Sequence, residues 1–249
     1  MRVLVTGATG QVGTALIRDL QAFGYLVRTL GKRPISSTIE HHYWSLGMTP
    51  NPRAFIDVDC ILHLAWITKD RDDQTMHLNV GGSSKIFQVA KLSGIKIINF
   101  SSFSAFKPIS KYGRAKLNVE NENPDGINLR IAKIERLENN GKKTGLINRA
   151  LKHLVILSPR GIVIQVIEFE HLVSEVVKYI DSEITKGTYV LPHHEYNFKR
   201  YLFEYHEIRS LEIPSLFFNY VFSLCQVSRT KYGITLHDRW ISLTSTKKP

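Results

Sequence analysis

Ser102, Tyr112 and Lys116 are the residues of this 249-residue chain whose types and spacing suit chemistry. They fall in "SSFSAFKPISKYGRAKLNVE", residues 101–120, where an apolar run ends in two serines. A free phenol has a pKa near ~10 and is a poor base at neutral pH. If Tyr112 begins a helix, Lys116, four residues on, lies on the same face one turn later. An ammonium in that place favours the phenolate and lowers the phenol's pKa. Tyr112 is then equipped to take a proton from a hydroxyl or give one to a ketone, with Ser102 hydrogen-bonded to the reacting oxygen. Ser101 and Ser104 are substitutes for Ser102 in that role. A Tyr and a Lys at this spacing arise by chance about 0.7 times in a chain of this composition. Alone, the stretch is equally a surface loop running into an ordinary helix, so its surroundings must decide.

Those surroundings alternate strand and helix signals. "RVLVTG" (2–7) is a β-branched run ending in a glycine turn, and Val12, Leu16, Leu20 and Phe23 then recur at helical spacing. Further strands are expected at 25–30, 59–66, 95–100 and 127–132, with helices at 76–92 and 112–121. Such alternation implies right-handed crossovers and a parallel sheet covered on both faces. Beyond a soft boundary near residue 132 the pattern loosens. Helices are expected near 145–154, 171–180, 197–209 and 215–225, and strands near 162–167 and 187–191.

"TGATGQVG" sets Gly7, Gly10 and Gly13 between the first strand and the first helix. One glycine lets the chain turn, a second lets backbone approach a pyrophosphate, and a third lets helix and strand pack closely. The helix N-terminus offers N–H groups to the phosphate. The alternative is a plain glycine-rich turn; position and spacing favour dinucleotide binding.

The G-x-x-G-x-x-G spacing resembles that of the short-chain dehydrogenase/reductase superfamily, in its extended, nucleotide-sugar epimerase/dehydratase branch. "DCILHLA" is similar to the strand lining the adenine side of the cofactor. "HLNVGGSSKIFQVAKLSGIKIINFSS" resembles the long helix and the strand that delivers the serine, and "YGRAK" resembles the family's Tyr-x-x-x-Lys. The resemblance covers residues 1–132 well and the remainder loosely. It implies an α/β fold, a Rossmann-like doubly wound parallel sheet (1–132), with a smaller substrate-binding region (133–249) interleaved with the end of the sheet. It also implies a cytoplasmic NAD(P)-dependent oxidoreductase or epimerase acting on a nucleotide-activated sugar, in polysaccharide assembly for example. Ser102, Tyr112 and Lys116 become the catalytic candidates. Thr6, Gly7, Thr9, Gly10, Gln11, Val12, Gly13, Leu64, Ala65, Trp66, Asn79 and Ser101 become cofactor candidates, together with Tyr112 and Lys116. A non-catalytic redox sensor or scaffold on the same fold, and a reductase of a non-sugar carbonyl, are the alternatives. A sensor is expected to lose Tyr112 or Lys116, and both are present.

An acid closing the second strand would bind the ribose 2'-hydroxyl of NAD. Here that strand runs into Lys32 and Arg33, so NADP is favoured over NAD through pairing with a 2'-phosphate. Ser45 stands where the family usually has an Asp near the adenine. The Ser-to-Tyr connection is short for this branch, although ten residues span the distance easily at about 3.3 Å each. The strand "LRIAK" lacks the family's proline after Arg, which leaves Ala132 and Lys133 as cofactor neighbours. His171 replaces an Asp in "EFEHL". His63 reads as a core histidine, and Arg149, Lys152 and Arg160 as candidates to meet a substrate diphosphate.

Net charge is +11, from 33 basic and 22 acidic side chains spread over both halves. A diffuse positive surface suits an anionic small ligand, and nucleic acid is not expected. Cys60 and Cys225 sit among apolar neighbours and read as reduced core residues, and no His/Cys/Asp cluster has metal spacing. "IPSLFFNYVFSLC" (213–225) is too short and too interrupted to span a bilayer, and reads as core or subunit contact. A homodimer through two long helices is the family expectation.

Overall fold

The computed structural model describes residues 1–68, 72–135, 156–206, 210–214, 216, 217 and 220. Its strands are β1 (Arg2–Thr6), β2 (Leu26–Gly31), β3 (Glu40–Tyr43), β4 (Cys60–His63), β5 (Lys96–Ser102), β6 (Ile127–Ile131), β7 (Lys133–Glu135), β8 (Ile156–Pro159), β9 (Val163–Glu168), β10 (Gly187–Val190), β11 (His194–Asn197) and β12 (Ser210–Ile213). The helices are α1 (Gln11–Ala22), α2 (Asp73–Leu92), α3 (Lys111–Asn121), α4 (Phe169–Asp181) and α5 (Phe198–His206).

Seven strands form one parallel sheet in the order β10-β6-β5-β4-β1-β2-β3. The order reverses at β1, so crossovers run outward in both directions and leave a crevice at the carboxyl edge between β1 and β4. Alternation within β1 shows why both faces must be covered. Val3 and Val5 enter the core beneath α1 and α4, while Leu4 enters the core beneath α2 and α3. All three are fully buried, at about 1.5–3 kcal/mol each. The fold is a Rossmann-like doubly wound α/β sandwich.

The chain's second half returns to this sheet. β10 adds its terminal strand beside β6, and α4 lies against α1, with the Tyr25 hydroxyl donating to Asp181 Oδ1 at 2.7 Å. Lys96 Nζ donates to the Ile180 and Ser182 carbonyls at the end of α4, where a cation suits the helix dipole. A second, three-stranded sheet has the order β11-β9-β7. Ile164 and Val166 of β9 pack there against Tyr201 and Leu202 of α5. β8 and β12 form a separate parallel pair.

The observed strands and helices overlap the expected ones through residue 132, and again at 162–167, 171–180, 187–191 and 197–206. β3, β7, β8, β11 and β12 are additions. The helix expected near 145–154 lies outside the described residues, as does Cys225. Cys60 is buried and free, with its thiol pushed up to about 12 by burial, which makes it inert. Among the described residues no helix is long and apolar enough to cross a membrane, and no group of residues is arranged to hold a metal ion.

Candidate active site

The site grows from the carboxyl ends of β1, β4, β5 and β6. Gly7 turns out of β1 with φ +71°, and a Cβ there would stand 2.7 Å from the Ala65 nitrogen and 2.8 Å from the Leu64 carbonyl oxygen. No side chain but hydrogen fits, because the first glycine loop lies directly against the end of β4. Gly13 answers a different need. A Cβ on it would come within 2.5 Å of the Gly7 carbonyl oxygen, so α1 packs onto the turn only without one. The N-terminus of α1 carries no side-chain cap, and Thr9, Gly10 and Gln11 are exposed around it. Its first N–H groups face outward with the positive end of the helix dipole behind them.

Behind the turn runs a chain of buried hydrogen bonds with one consistent direction. The Ala65 N–H donates to Thr6 Oγ1, and Thr6 Oγ1 lies 2.9 Å from His63 Nδ1. His63 Nε2 lies 2.9 Å from Ser83 Oγ, which donates to the Asn79 carbonyl at 2.8 Å. Since Ser83 spends its proton on Asn79, His63 must donate through Nε2 and accept from Thr6 at Nδ1. The ring is fully buried, and burial drives its pKa down to about 3, so it stays neutral. Asn79 then grips the next loop with both ends of its amide. Oδ1 accepts from the Ile67 N–H at 2.7 Å and Nδ2 donates to the Ile67 carbonyl at 3.2 Å. Thr6, His63, Ser83 and Asn79 therefore fix the backbone that carries Leu64, Ala65 and Trp66.

β5 brings Ser102 to the same edge, and a 3₁₀ turn over Phe103–Ala105 follows. Ser102 Oγ accepts from the Ser104 N–H at 3.2 Å and leaves a partly exposed hydroxyl. Ser110 caps α3, its Oγ accepting from the Gly113 N–H at 2.9 Å, so Tyr112 stands in the helix's first turn. Lys116, one turn on, is buried; its Nζ donates to the Phe100 carbonyl at 2.8 Å. The same Nζ lies 6.0 Å from the centre of the Tyr112 ring. Burial lowers the Lys116 pKa to about 7, opposed by the charge of Glu120. Glu120 in turn is held by Ser101 and by Arg130 of β6, whose Nη2 reaches Glu120 Oε2 at 2.7 Å. This pair locks α3 to β5 and β6.

Ser102, Tyr112 and Lys116 line one cavity of about 450 Å³, together with Val12, Leu64 and Trp66. Ala132, Lys133, Ile164 and Gln165 close its far side. Ser101 and Ser104 line it too, although the Ser101 hydroxyl is engaged by Glu120 and Ser104 is largely buried in the 3₁₀ turn. Thr6 and Asn79 stand behind the cavity as supports. Lys32 and Arg33 do not reach it; they are exposed just beyond β2. Ser45 is part-buried beyond β3, and Arg160 is exposed. Arg149 and Lys152 lie outside the described residues. His171 is on α4, 3.8 Å from Glu175, away from the cavity lining. Ser83, Glu120 and Arg130 were not singled out from the sequence. Glu120 carried a usable signal, since it falls four residues after Lys116 and thus on the same helix face.

A parallel sheet with this strand order and a glycine turn opening onto α1 defines a Rossmann-like fold. Residues 3–124, the part that builds the turn, the reversal and the Ser-Tyr-Lys edge, match the model of the NAD dependent epimerase/dehydratase family. A comparison with curated proteins found no match. Similar solved structures include UDP-N-acetylglucosamine 4-epimerase from Bacillus cereus, 18% identical over 86% of this chain and 85% of that one, with a TM-score of 0.69. MoeE5 in complex with UDP-glucuronic acid and NAD is 16% identical over 86% of both chains, with a TM-score of 0.67. The Bordetella bronchiseptica enzyme WbmG in complex with NAD and UDP is 18% identical over 99% and 97%, with a TM-score of 0.66. At these identities the likeness is one of fold.

Proposed function

We propose that the protein is an NAD(P)-dependent enzyme acting on a nucleotide-activated sugar, as an epimerase, dehydratase or reductase, with Tyr112 as general acid and base. The observation that carries this reading is the meeting of Ser102, Tyr112 and Lys116 on one cavity beside the uncapped N-terminus of α1. The cofactor fits the residues present. The cradle at Gly7 is one that a Cβ would fill; the Gly10 N–H closes the turn onto the Gly7 carbonyl, and Gln11, Val12 and Gly13 would present N–H groups to a pyrophosphate. Leu64, Ala65 and Trp66, held by Thr6 and Asn79, would wall the dinucleotide's course, and Lys116 would reach a ribose hydroxyl. Lys32 and Arg33, exposed where NAD-selective sites carry an acid, favour the 2'-phosphate of NADP. MoeE5 and WbmG hold NAD, so both forms belong in the assay.

A bound nicotinamide supplies the acceptor or donor of hydride at its C4. The chain's own residues handle the proton. Ser102 hydrogen-bonds the reacting sugar oxygen, Tyr112 removes or returns its proton, and the Lys116 ammonium favours the phenolate between those events. Lys116 acts in this way only while charged, so its help to Tyr112 fades as pH rises through about 7 in the ligand-free protein. The region from 133 onward supplies the substrate side through Lys133, Ile164 and Gln165. A nucleotide sugar is favoured because MoeE5 carries UDP-glucuronic acid and WbmG carries UDP.

The test is conversion of UDP-, GDP- and dTDP-sugars, followed by product analysis and nicotinamide absorbance, with NAD and with NADP. Tyr112→Phe should lower turnover by about 10²–10⁴-fold and leave cofactor affinity unchanged. Cofactor binding without conversion of any sugar would overturn the enzyme reading in favour of a sensor or scaffold. Consumption of small ketones alone would redirect it to non-sugar carbonyls.

A further inference from the structure

Trp66 occupies the cavity wall at the expense of its own hydrogen bond. Its Nε1 is buried and has no partner among the described residues. Buried donors are nearly always satisfied, so one left orphaned on a cavity wall calls for a reason. Slack in the loop is not that reason, because the Ala65 N–H is bonded to Thr6 and both backbone groups of Ile67 are held by Asn79. The indole is placed instead against two groups of α3. Lys116 Nζ lies 3.8 Å from its ring centre, within cation–π range, and the Tyr112 ring meets it edge to face at 5.7 Å and 85°.

We propose that Trp66 is a positioning residue whose indole face seats the Lys116 ammonium inside the cavity beside Tyr112 and so preserves the charge on which Tyr112 depends. The proposal rests on the reading of Tyr112 and Lys116 as the reacting pair. The other groups around Lys116 show why the ring matters. On α3 they are Tyr112 and Glu120, and Glu120 divides its carboxylate between Ser101 and Arg130. β5 offers only the neutral Phe100 carbonyl, and His63 of β4 is kept uncharged by burial. Lys133, across the cavity, is engaged by Glu135 and Tyr201. With desolvation pressing the amine toward neutrality, the quadrupole of the indole is, among the described residues, the stabiliser in direct contact with the ammonium besides that carbonyl.

The first test needs no cofactor. The chain has three tryptophans, Trp44, Trp66 and Trp240, and subtracting the emission of Trp66→Phe isolates Trp66. That emission should change across the ionisation of Lys116, and Lys116→Met should abolish the change while circular dichroism stays native. The second test is the pH profile of turnover. Trp66→Leu should move the alkaline limb to lower pH and cut turnover above neutrality by roughly 5–10-fold, with sugar KM within about threefold. Trp66→Phe, which keeps an aromatic face, should fall between the two. A Trp66 emission without a pH transition, or one that persists in Lys116→Met, would overturn the proposal. So would a Trp66→Leu enzyme with the wild-type alkaline limb. If Trp66→Leu does not fold, the emission titration and the Trp66→Phe profile decide. If the wild type converts no sugar, the proposed function fails while the emission titration still decides whether Trp66 and Lys116 are paired.

Discussion

On the glycine-loop side of the cavity, Thr6, His63, Ser83 and Asn79 pass hydrogen bonds along one direction, and none of them is exposed. On the opposite side, where β7 and β9 meet α5, Lys133 and Glu135 crowd onto the buried Tyr201. Tyr201 donates to Glu135, and burial together with that carboxylate pushes its phenol pKa upward. The Lys133 side chain remains 47% exposed. The first wall is specified by backbone and small polar groups, which any dinucleotide site of this shape needs. The second is built from long side chains, of which Tyr201 belongs to the core beneath α5 and Lys133 stands half exposed. On the proposed function, the difference separates what the fold requires from what a substrate would select.

The largest test of that contrast falls on the first wall. Gly7→Ala places a Cβ 2.7 Å from backbone at a φ of +71°, and neither the loop nor β4 can yield without breaking the register of β1 with β4. The expected loss is about 3 kcal/mol or more in denaturant unfolding, with cofactor binding abolished. A near-native alanine variant would show that the turn does not need its left-handed conformation.

Ser83→Ala acts on the same wall more gently. It strands the His63 Nε2–H in the core, while the Asn79 carbonyl keeps its helical backbone donor, for an expected loss of about 1–3 kcal/mol. The neutral state of His63 also gives this wall a pH signature. With the folded pKa held near 3 and the unfolded value near ~6.5, the stabilisation is fully present above ~6.5 and is lost as pH falls toward 3. Urea midpoints should therefore drop through that window in the wild type. Replacing His63 with Gln, which keeps hydrogen-bonding capacity without a titrating ring, should flatten the drop. An equal drop in that variant would assign it to carboxylates elsewhere.

The same contrast explains what was readable in the sequence. β1, β4, β5 and β6 are apolar runs because both of their faces are covered, so the sheet and its order of elements were legible from hydrophobicity and glycine position alone. β3 ("EHHY") and β11 ("HEYN") are edge strands with polar faces and give no such run. β7 spans three residues, too few for alternation to register. Within the site, the spacing of Tyr112 and Lys116 was visible because a helix converts four residues into one turn. The Trp66–Lys116 contact was not, because it joins the loop after β4 to a helix some fifty residues away through a side-chain rotamer. Ser83 was hidden for a similar reason: its meaning comes from His63 lying across a crossover. Pairing within an element can be read from a sequence, whereas pairing between elements waits for the register.

The smallest expected effect falls on the second wall. Lys133→Met keeps the stem's length and apolar character while removing the ammonium from Glu135 and Tyr201. Half-exposed ion pairs contribute little, so unfolding should shift by less than about 1 kcal/mol, and Tyr201 can still donate to Glu135. Because Lys133 lines the cavity opposite the glycine loop, the loss should be felt by the substrate alone. The sugar nucleotide's KM should rise by about 3–10-fold while NAD and NADP affinities stay as in the wild type. Titration calorimetry with each cofactor, set beside steady-state kinetics, separates the two. Equal weakening of cofactor and sugar binding would mean that the walls do not divide the ligand between them, and the contrast would reduce to one of burial.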